Sequence, residues 1–153
     1  MTETKFSGEN HVFPQGEERM KDMLAKGPDG PIYMVNLLKF KEKAEYEDGR
    51  ETDLSGRDAY MIYGNAVADI LPKFNGAPVF AADVNWLALG EMDNLWDEVA
   101  IARYGCRADM VAMSSSPEWM EAAVHRSAGL AGQLNIECLA PEGMTFGPDL
   151  SAS

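Results

Sequence analysis

The sequence predicts an α+β domain in which a four-stranded antiparallel sheet carries two helices on one face, with a short extra helix ahead of it. Three observations predict it. The run from Pro31 to Phe40, PIYMVNLLKF, alternates as a strand with apolar side chains on both sides. Two capped helical patterns, opening at Ser55 and at Ser116, each follow a strand-like run and precede another. The resulting order is a helix and then β-α-β-β-α-β, the split βαβ or ferredoxin-like arrangement.

Each element has its own warrant. Gln15 to Lys26 reads as the leading helix, with Met20, Met23 and Leu24 at helical spacing and Gly27-Pro28 as its stop. In the strand that follows, Ile32, Met34, Leu38 and Phe40 share one face, and Tyr33, Val35 and Leu37 share the other. Residues 41–56 are charged and poor in apolar side chains, the signature of a mobile excursion. Ser55-Gly-Arg-Asp58 resembles a capping box, and Ala59, Tyr60, Tyr63, Val67 and Ile70 follow at helical spacing up to Pro72.

After the turn at Asn75-Gly76, Val79 to Leu89 reads as a long strand, Gly90 to Asn94 as a hairpin connection, and Trp96 to Tyr104 as the next strand. In that third strand Val99, Ile101 and Arg103 share one side, and Ala100, Ala102 and Tyr104 share the other. Gly105 to Met113 is a short helical pattern. A second starts at Ser116 with Pro117 in the first helical position and runs through Trp119 toward Val124. Leu134 to Leu139 is the last strand. The chain thus divides into an N-terminal extension (1–30), a ferredoxin-like domain (31–140) and a loose Pro/Gly-rich tail (141–153).

Bulk properties narrow the function. At 153 residues, one domain can bury a core without staples. The net charge of −12, with no basic stripe, argues against nucleic acid or an anionic membrane as a partner. The start MTETKFSGEN has no apolar core of a signal peptide, and no run approaches the ~18 apolar residues of a membrane span. Cys106 and Cys138 are far apart and outside any CxxC, which reads as reduced thiols in a cytoplasmic protein. Two helices cover one side of such a sheet, yet the first three strands are apolar on both. Leaving those side chains wet costs about 1.5–3 kcal/mol each, so a homodimer packed sheet against sheet is expected.

Several segments resemble one family. MVNLLKF (34–40), SGRDAYMIYG (55–64), WDEVAIARYGCRADMVAM (96–113), SSPEW (115–119) and HRSAGL (125–130) are similar, in order and spacing, to the domain of unknown function 1330 family. One departure is that Tyr104-Gly105-Cys106-Arg107 stands where that family has tyrosine-proline before its Ser-Arg pair. The resemblance implies a dimeric α/β barrel, an architecture shared with small cofactor-free monooxygenases and isomerases and with dye-decolourising relatives. It implies no activity.

The candidate site residues follow from residue type and place. Asn36 is an amide set among apolar neighbours in a strand, where it must find partners or bind a ligand group. Tyr63, with Tyr60 three residues before it, faces the sheet and can donate from its phenol. His125 titrates near neutrality and Arg126 is a fixed cation, so together they can take a proton and hold a carboxylate or enolate; equally, they can stabilise a helix C-terminus. Arg103 is a second anion holder, while Lys39 and Arg107 read as surface charges. Two histidines without ligand spacing point to no metal, and no glycine-rich nucleotide loop or nucleophile elbow is present.

The expectation is a cytoplasmic homodimer that binds a small organic ligand between sheet and helices, with Asn36 and Arg103 as binding groups. As a cofactor-independent enzyme it would transfer protons or oxygenate a small organic acid or carbonyl compound, through His125, Arg126 and Tyr63. The alternative is a non-catalytic binding or interaction module. A haem-binding variant of the barrel would have His125 as its one axial ligand.

Overall fold

The computed structural model describes residues 16–25 and 27–149. The elements run α1 (Gly16–Leu24), β1 (Ile32–Phe40), α2 (Gly56–Ile70), a 3-10 turn (Leu71–Phe74), β2 (Ala77–Asp83), β3 (Glu98–Tyr104), α3 (Arg107–Ser114), α4 (Pro117–Gly129) and β4 (Leu130–Cys138). The expected loose segment 1–12 and the helix ends at Gln15 and Lys26 lie outside the described residues. The four strands form one sheet in the order β2-β3-β1-β4, with every pairing antiparallel. This is the ferredoxin-like order, and β1 is its centre.

Register settles the two faces, because directly paired residues point the same way. Ile32 pairs with Tyr104, Met34 with Ala102, Asn36 with Ala100 and Leu38 with Glu98. On the other flank Leu38, Asn36 and Met34 pair with Gln133, Asn135 and Glu137. This is the helix face. Its core joins Ile32 and Met34 to Val67, Ile70 and Leu71 above them, with Tyr104 and Met113 closing one end. Tyr33, Val35, Leu37, Val99, Ile101, Arg103, Leu134 and Ile136 take the opposite, open face.

Local chemistry explains most element ends. The Ser55 hydroxyl accepts from the Asp58 N–H at 3.0 Å and starts α2. The Ser116 hydroxyl accepts from the Trp119 N–H at 3.3 Å and starts α4 behind Pro117. Asn75 turns the chain into β2 in the left-handed region, at φ 60°.

Three expectations are corrected. β2 does not extend to Leu89: its ladder to β3 ends at Asp83–Glu98, followed by one bond from the Val84 N–H to the Asp97 carbonyl. Trp86 and Leu89, expected inside the strand, are 77% and 92% exposed in the connection between β2 and β3. β4 starts at Leu130 rather than Leu134, directly off the end of α4. The charged segment 41–56 is tied to the helix layer rather than free of it. Glu45 N–H donates to the Ala128 carbonyl and Ala44 N–H to the Leu54 carbonyl, both at 3.0 Å, and Ala44 is buried against Ala59 and Ala128.

That tie depends on two glycines. Lys41 N–H donates to the Gly129 carbonyl at 2.8 Å, and Gly56 N–H donates to the Lys41 carbonyl at 3.0 Å. A Cβ on Gly56 would sit 2.7 Å from the Gly129 carbonyl, and one on Gly129 would press on the Gly56 carbonyl and lie 2.9 Å from the Tyr60 nitrogen. Backbone cannot move aside as a side chain can. Gly129→Ala is therefore expected to destabilise the fold by about 1–3 kcal/mol, the usual cost of overpacking, read as a lowered urea midpoint.

Candidate functional site

The most connected polar group on the helix face is Asn36. Its amide nitrogen donates to the Met34 carbonyl at 3.2 Å and to the Ala100 carbonyl at 3.1 Å. Its oxygen accepts from Gln133 Nε2 at 2.7 Å and from the Asn135 amide. An amide has two hydrogens and two lone pairs, so Asn36 is at capacity within the protein. It ties β3, β1 and β4 together. Gln133 carries the chain one step further, because its oxygen accepts from Arg126 Nη2 on α4. Gln133 and Asn135 stand on the face of β4 that Asn36 occupies on β1, and the sequence reading missed both. Their period-2 spacing opposite a strand amide is the signal that could have found them.

Aromatic side chains crowd beside Arg126. Tyr60 and Tyr63 lie three apart on α2, so they share one face, with ring centroids 5.4 Å apart. Tyr60 leans on Phe40 at 5.4 Å, and Tyr63 meets Trp119 of α4 edge-on at 6.3 Å. The Tyr63 hydroxyl accepts from the Trp119 indole N–H at 3.3 Å. Burial pushes the pKa of Tyr60, Tyr63 and Tyr104 above the usual phenol value, and the Arg126 charge opposes that rise at all three. All three stay protonated donors at neutral pH.

His125 and Arg126, adjacent in sequence, have different partners. His125 Nδ1 lies 2.7 Å from the Tyr46 hydroxyl, and its ring meets the Tyr46 ring edge-on at 5.5 Å. Tyr46 belongs to the 41–56 segment and carries the Arg50 guanidinium over its ring. Burial lowers the His125 pKa below the ordinary imidazole value and the Arg50 charge lowers it further, both favouring the neutral ring. Arg103 is on the open face, opposite Asn36. It is 6% exposed and donates through both terminal nitrogens to the tail, to the Phe146 carbonyl at 2.6 Å and to the Pro148 carbonyl. The structure therefore brings Arg126 and Tyr63 together near Asn36, and separates Arg103 from them.

Lys39 and Arg107 are ion-paired. Lys39 bonds the Asp97 carboxylate at 3.2 Å and the Leu95 carbonyl at 2.9 Å. Arg107 pairs with Glu137 at 2.5 Å. Two cavities stand out elsewhere: one of about 700 Å³ within the 43–53 segment, and one of about 320 Å³ between α1 and α3. None of Asn36, Tyr63, Arg103, His125 or Arg126 lines either of them. Among the described residues no group of His, Cys, Asp or Glu is arranged to hold a metal, and no helix is long and apolar enough to cross a membrane.

No family model matches the chain, and no curated protein is found to match it. Solved structures do. The structure of methylated RPA0582 is 32% identical, covers 88% of this chain and 98% of its own, and superposes with a TM-score of 0.77. The chain belongs to the same family as RPA0582. A second structure of RPA0582, described as a protein of unknown function from Rhodopseudomonas palustris, gives 30% identity over 86% of this chain and 99% of that one, with a TM-score of 0.75. A dimeric ferredoxin-like protein of unknown function from Bacteroides fragilis aligns at 10% identity and a TM-score of 0.42, too distant to carry an argument.

One carboxylate on the helix face gives a pH test. Glu98 is 8% exposed, and burial raises its pKa; Arg57, 3.9 Å away, opposes the rise, and Asp83 adds to it. A raised pKa in the folded state means stability present at low pH is lost as pH rises through that value. Glu98→Gln is expected to gain stability on the native chain as pH rises from 4 to 8, measured as the difference in urea midpoints.

Proposed function

We propose that this chain is a homodimeric α/β-barrel protein that binds a small organic acid between sheet and helices, beside Arg126. The observation that carries this reading is the placement of Arg126: it donates to Gln133 on the sheet, and its charge reaches the phenols of Tyr60, Tyr63 and Tyr104. A fixed cation among hydrogen-bond donors favours a carboxylate or enolate over a neutral ligand. Kinship with the domain of unknown function 1330 family is part of the proposal and rests on the quoted motifs. So is a cytoplasmic setting, which suits the unpaired thiols of Cys106 and Cys138.

Binding is better supported than catalysis. A neutral His125 suits a general base, but it meets Tyr46 and feels the charge of Arg50 on the outer segment. The expected outcome is that small carboxylates raise the melting temperature of the native chain by several degrees at saturation. Arg126→Gln should abolish that rise, and a rise that persists in the variant places the ligand elsewhere.

The dimer rests on the open face. Phe80, Leu134 and Ile136 are 52%, 42% and 45% exposed there, continuous with the half-buried Val35, Leu37, Val99 and Ile101. This is the apolar patch that a second copy would cover by a two-fold, self-complementary contact. Native mass spectrometry is expected to give twice the mass of the chain. Ile136→Asp should give the monomer, and a native chain that is already monomeric would remove the barrel.

A further inference from the structure

Among the described residues the two most exposed large apolar side chains belong to one segment, the connection between β2 and β3. Trp86 is 77% exposed and Leu89 92%, with Leu87 at 38% and Met92 at 37% beside them. Residues 84–88 run on from β2 without bend or turn. Their sequence, VNWLA, keeps the alternation of a strand. Scattered singly, such side chains mean little; grouped in one segment they mark a contact surface.

The base of this connection is fixed. Val84 N–H donates to the Asp97 carbonyl at 2.9 Å, and Asp97 N–H donates to the Leu38 carbonyl at 2.8 Å. The Asp97 carboxylate accepts from the Phe40 N–H at 2.8 Å and from Lys39 Nζ at 3.2 Å. Trp96 is buried beside it. Residues 85–94 are therefore an arm held at its root by the end of β1, on the β2 edge of the sheet. The β4 strand of the same sheet lies three strand spacings away, roughly 14 Å.

Charge selects what the arm meets. The chain carries a net charge of −12, and between Lys73 and Arg103 every charged residue is acidic: Asp83, Glu91, Asp93, Asp97 and Glu98. Nucleic acid and anionic membranes are repelled from such a segment. A second copy is repelled as well, unless the contact is made through uncharged stretches. Residues 84–90, VNWLALG, are one such stretch, and residues 130–136, LAGQLNI, are another. The second includes Leu134 and Ile136, half-exposed on the open face. The arm is continuous with that face through Phe80, which pairs with Ile101. The tail occupies the corner at Tyr33 and Arg103, so β4 is the side of the face free to receive an arm.

Resting on the dimer reading above, we propose that the arm of each copy lies along β4 of the other, with Trp86 and Leu89 against Leu134 and Ile136. The contact is reciprocal, as a two-fold requires: each copy gives one arm and receives one. Trp86 is its anchor, because a large aromatic at the centre of an interface carries a disproportionate share of the association.

The test uses the full chain with p-benzoylphenylalanine in place of Leu89. It is refolded from urea together with nitrogen-15-labelled native chain and irradiated. The expected result is a cross-link from the natural-abundance arm to a nitrogen-15 peptide within 130–138. In a dimeric sample, a cross-link inside one chain, one to any other peptide, or none overturns the arm contact. Labelling of added phosphatidylcholine vesicles in place of the second copy also overturns it and makes the arm a membrane contact. Independently, Trp86→Ser should raise the dimer dissociation constant about thirtyfold or more by sedimentation, since each dimer loses two anchors. An unchanged constant removes the arm and leaves the sheet-on-sheet dimer standing. A native chain that is monomeric removes both.

Discussion

The helix layer of this protein depends on a contact between backbones. Gly56 at the head of α2 and Gly129 at the foot of α4 approach so closely that no side chain fits between them, and Lys41 bonds to both. That point sets the separation of α2 and α4. The separation in turn sets whether Tyr60 and Tyr63 stand beside Arg126. Helices spread by even one methyl group would pull the phenols from the guanidinium, because interiors at crystal-like density transmit such strain. The candidate site is therefore framed by residues that have no chemistry of their own.

Below that layer, Asn36 performs the matching role in the sheet. With four bonds to four residues it couples the three strands β3, β1 and β4. A leucine there would pack as well but would leave Gln133 and Asn135 without their acceptor, and Gln133, which accepts from Arg126, would lose its tie to β1. The polar insertion in an apolar strand thus specifies which part of α4 faces the sheet, at some cost in hydrophobic burial.

Much of this was legible in the sequence. The alternation of β1, the caps at Ser55 and Ser116 and the order of elements are local signals, and each was realised within a few residues. The end of β2 was not local: VNWLAL keeps an alternating pattern past Asp83, but β3 offers no partner before Glu98, and a strand without a partner has no ladder. The candidate polar residues were legible in the sequence, but their partners were not. Arg103 was correctly set beside Val99 and Ile101, yet the tail that occupies it lies more than forty residues downstream, at Phe146. Asn36 meets Gln133 across nearly a hundred residues, a distance that no periodicity reports.

The tail also shapes the face it touches. Tyr33 accepts the Phe146 N–H at 2.8 Å and receives the Phe146 ring edge-on, while Gly147 lies against Val79. This fences off the corner where β1 begins and β3 ends, and leaves the apolar surface lopsided toward β4. Two copies meeting on this face would be unable to stack centre over centre. Their symmetry axis would have to pass nearer Leu134 and Ile136 than Tyr33, so the strand that carries Gln133 on its inner side would carry the seam of the assembly on its outer side.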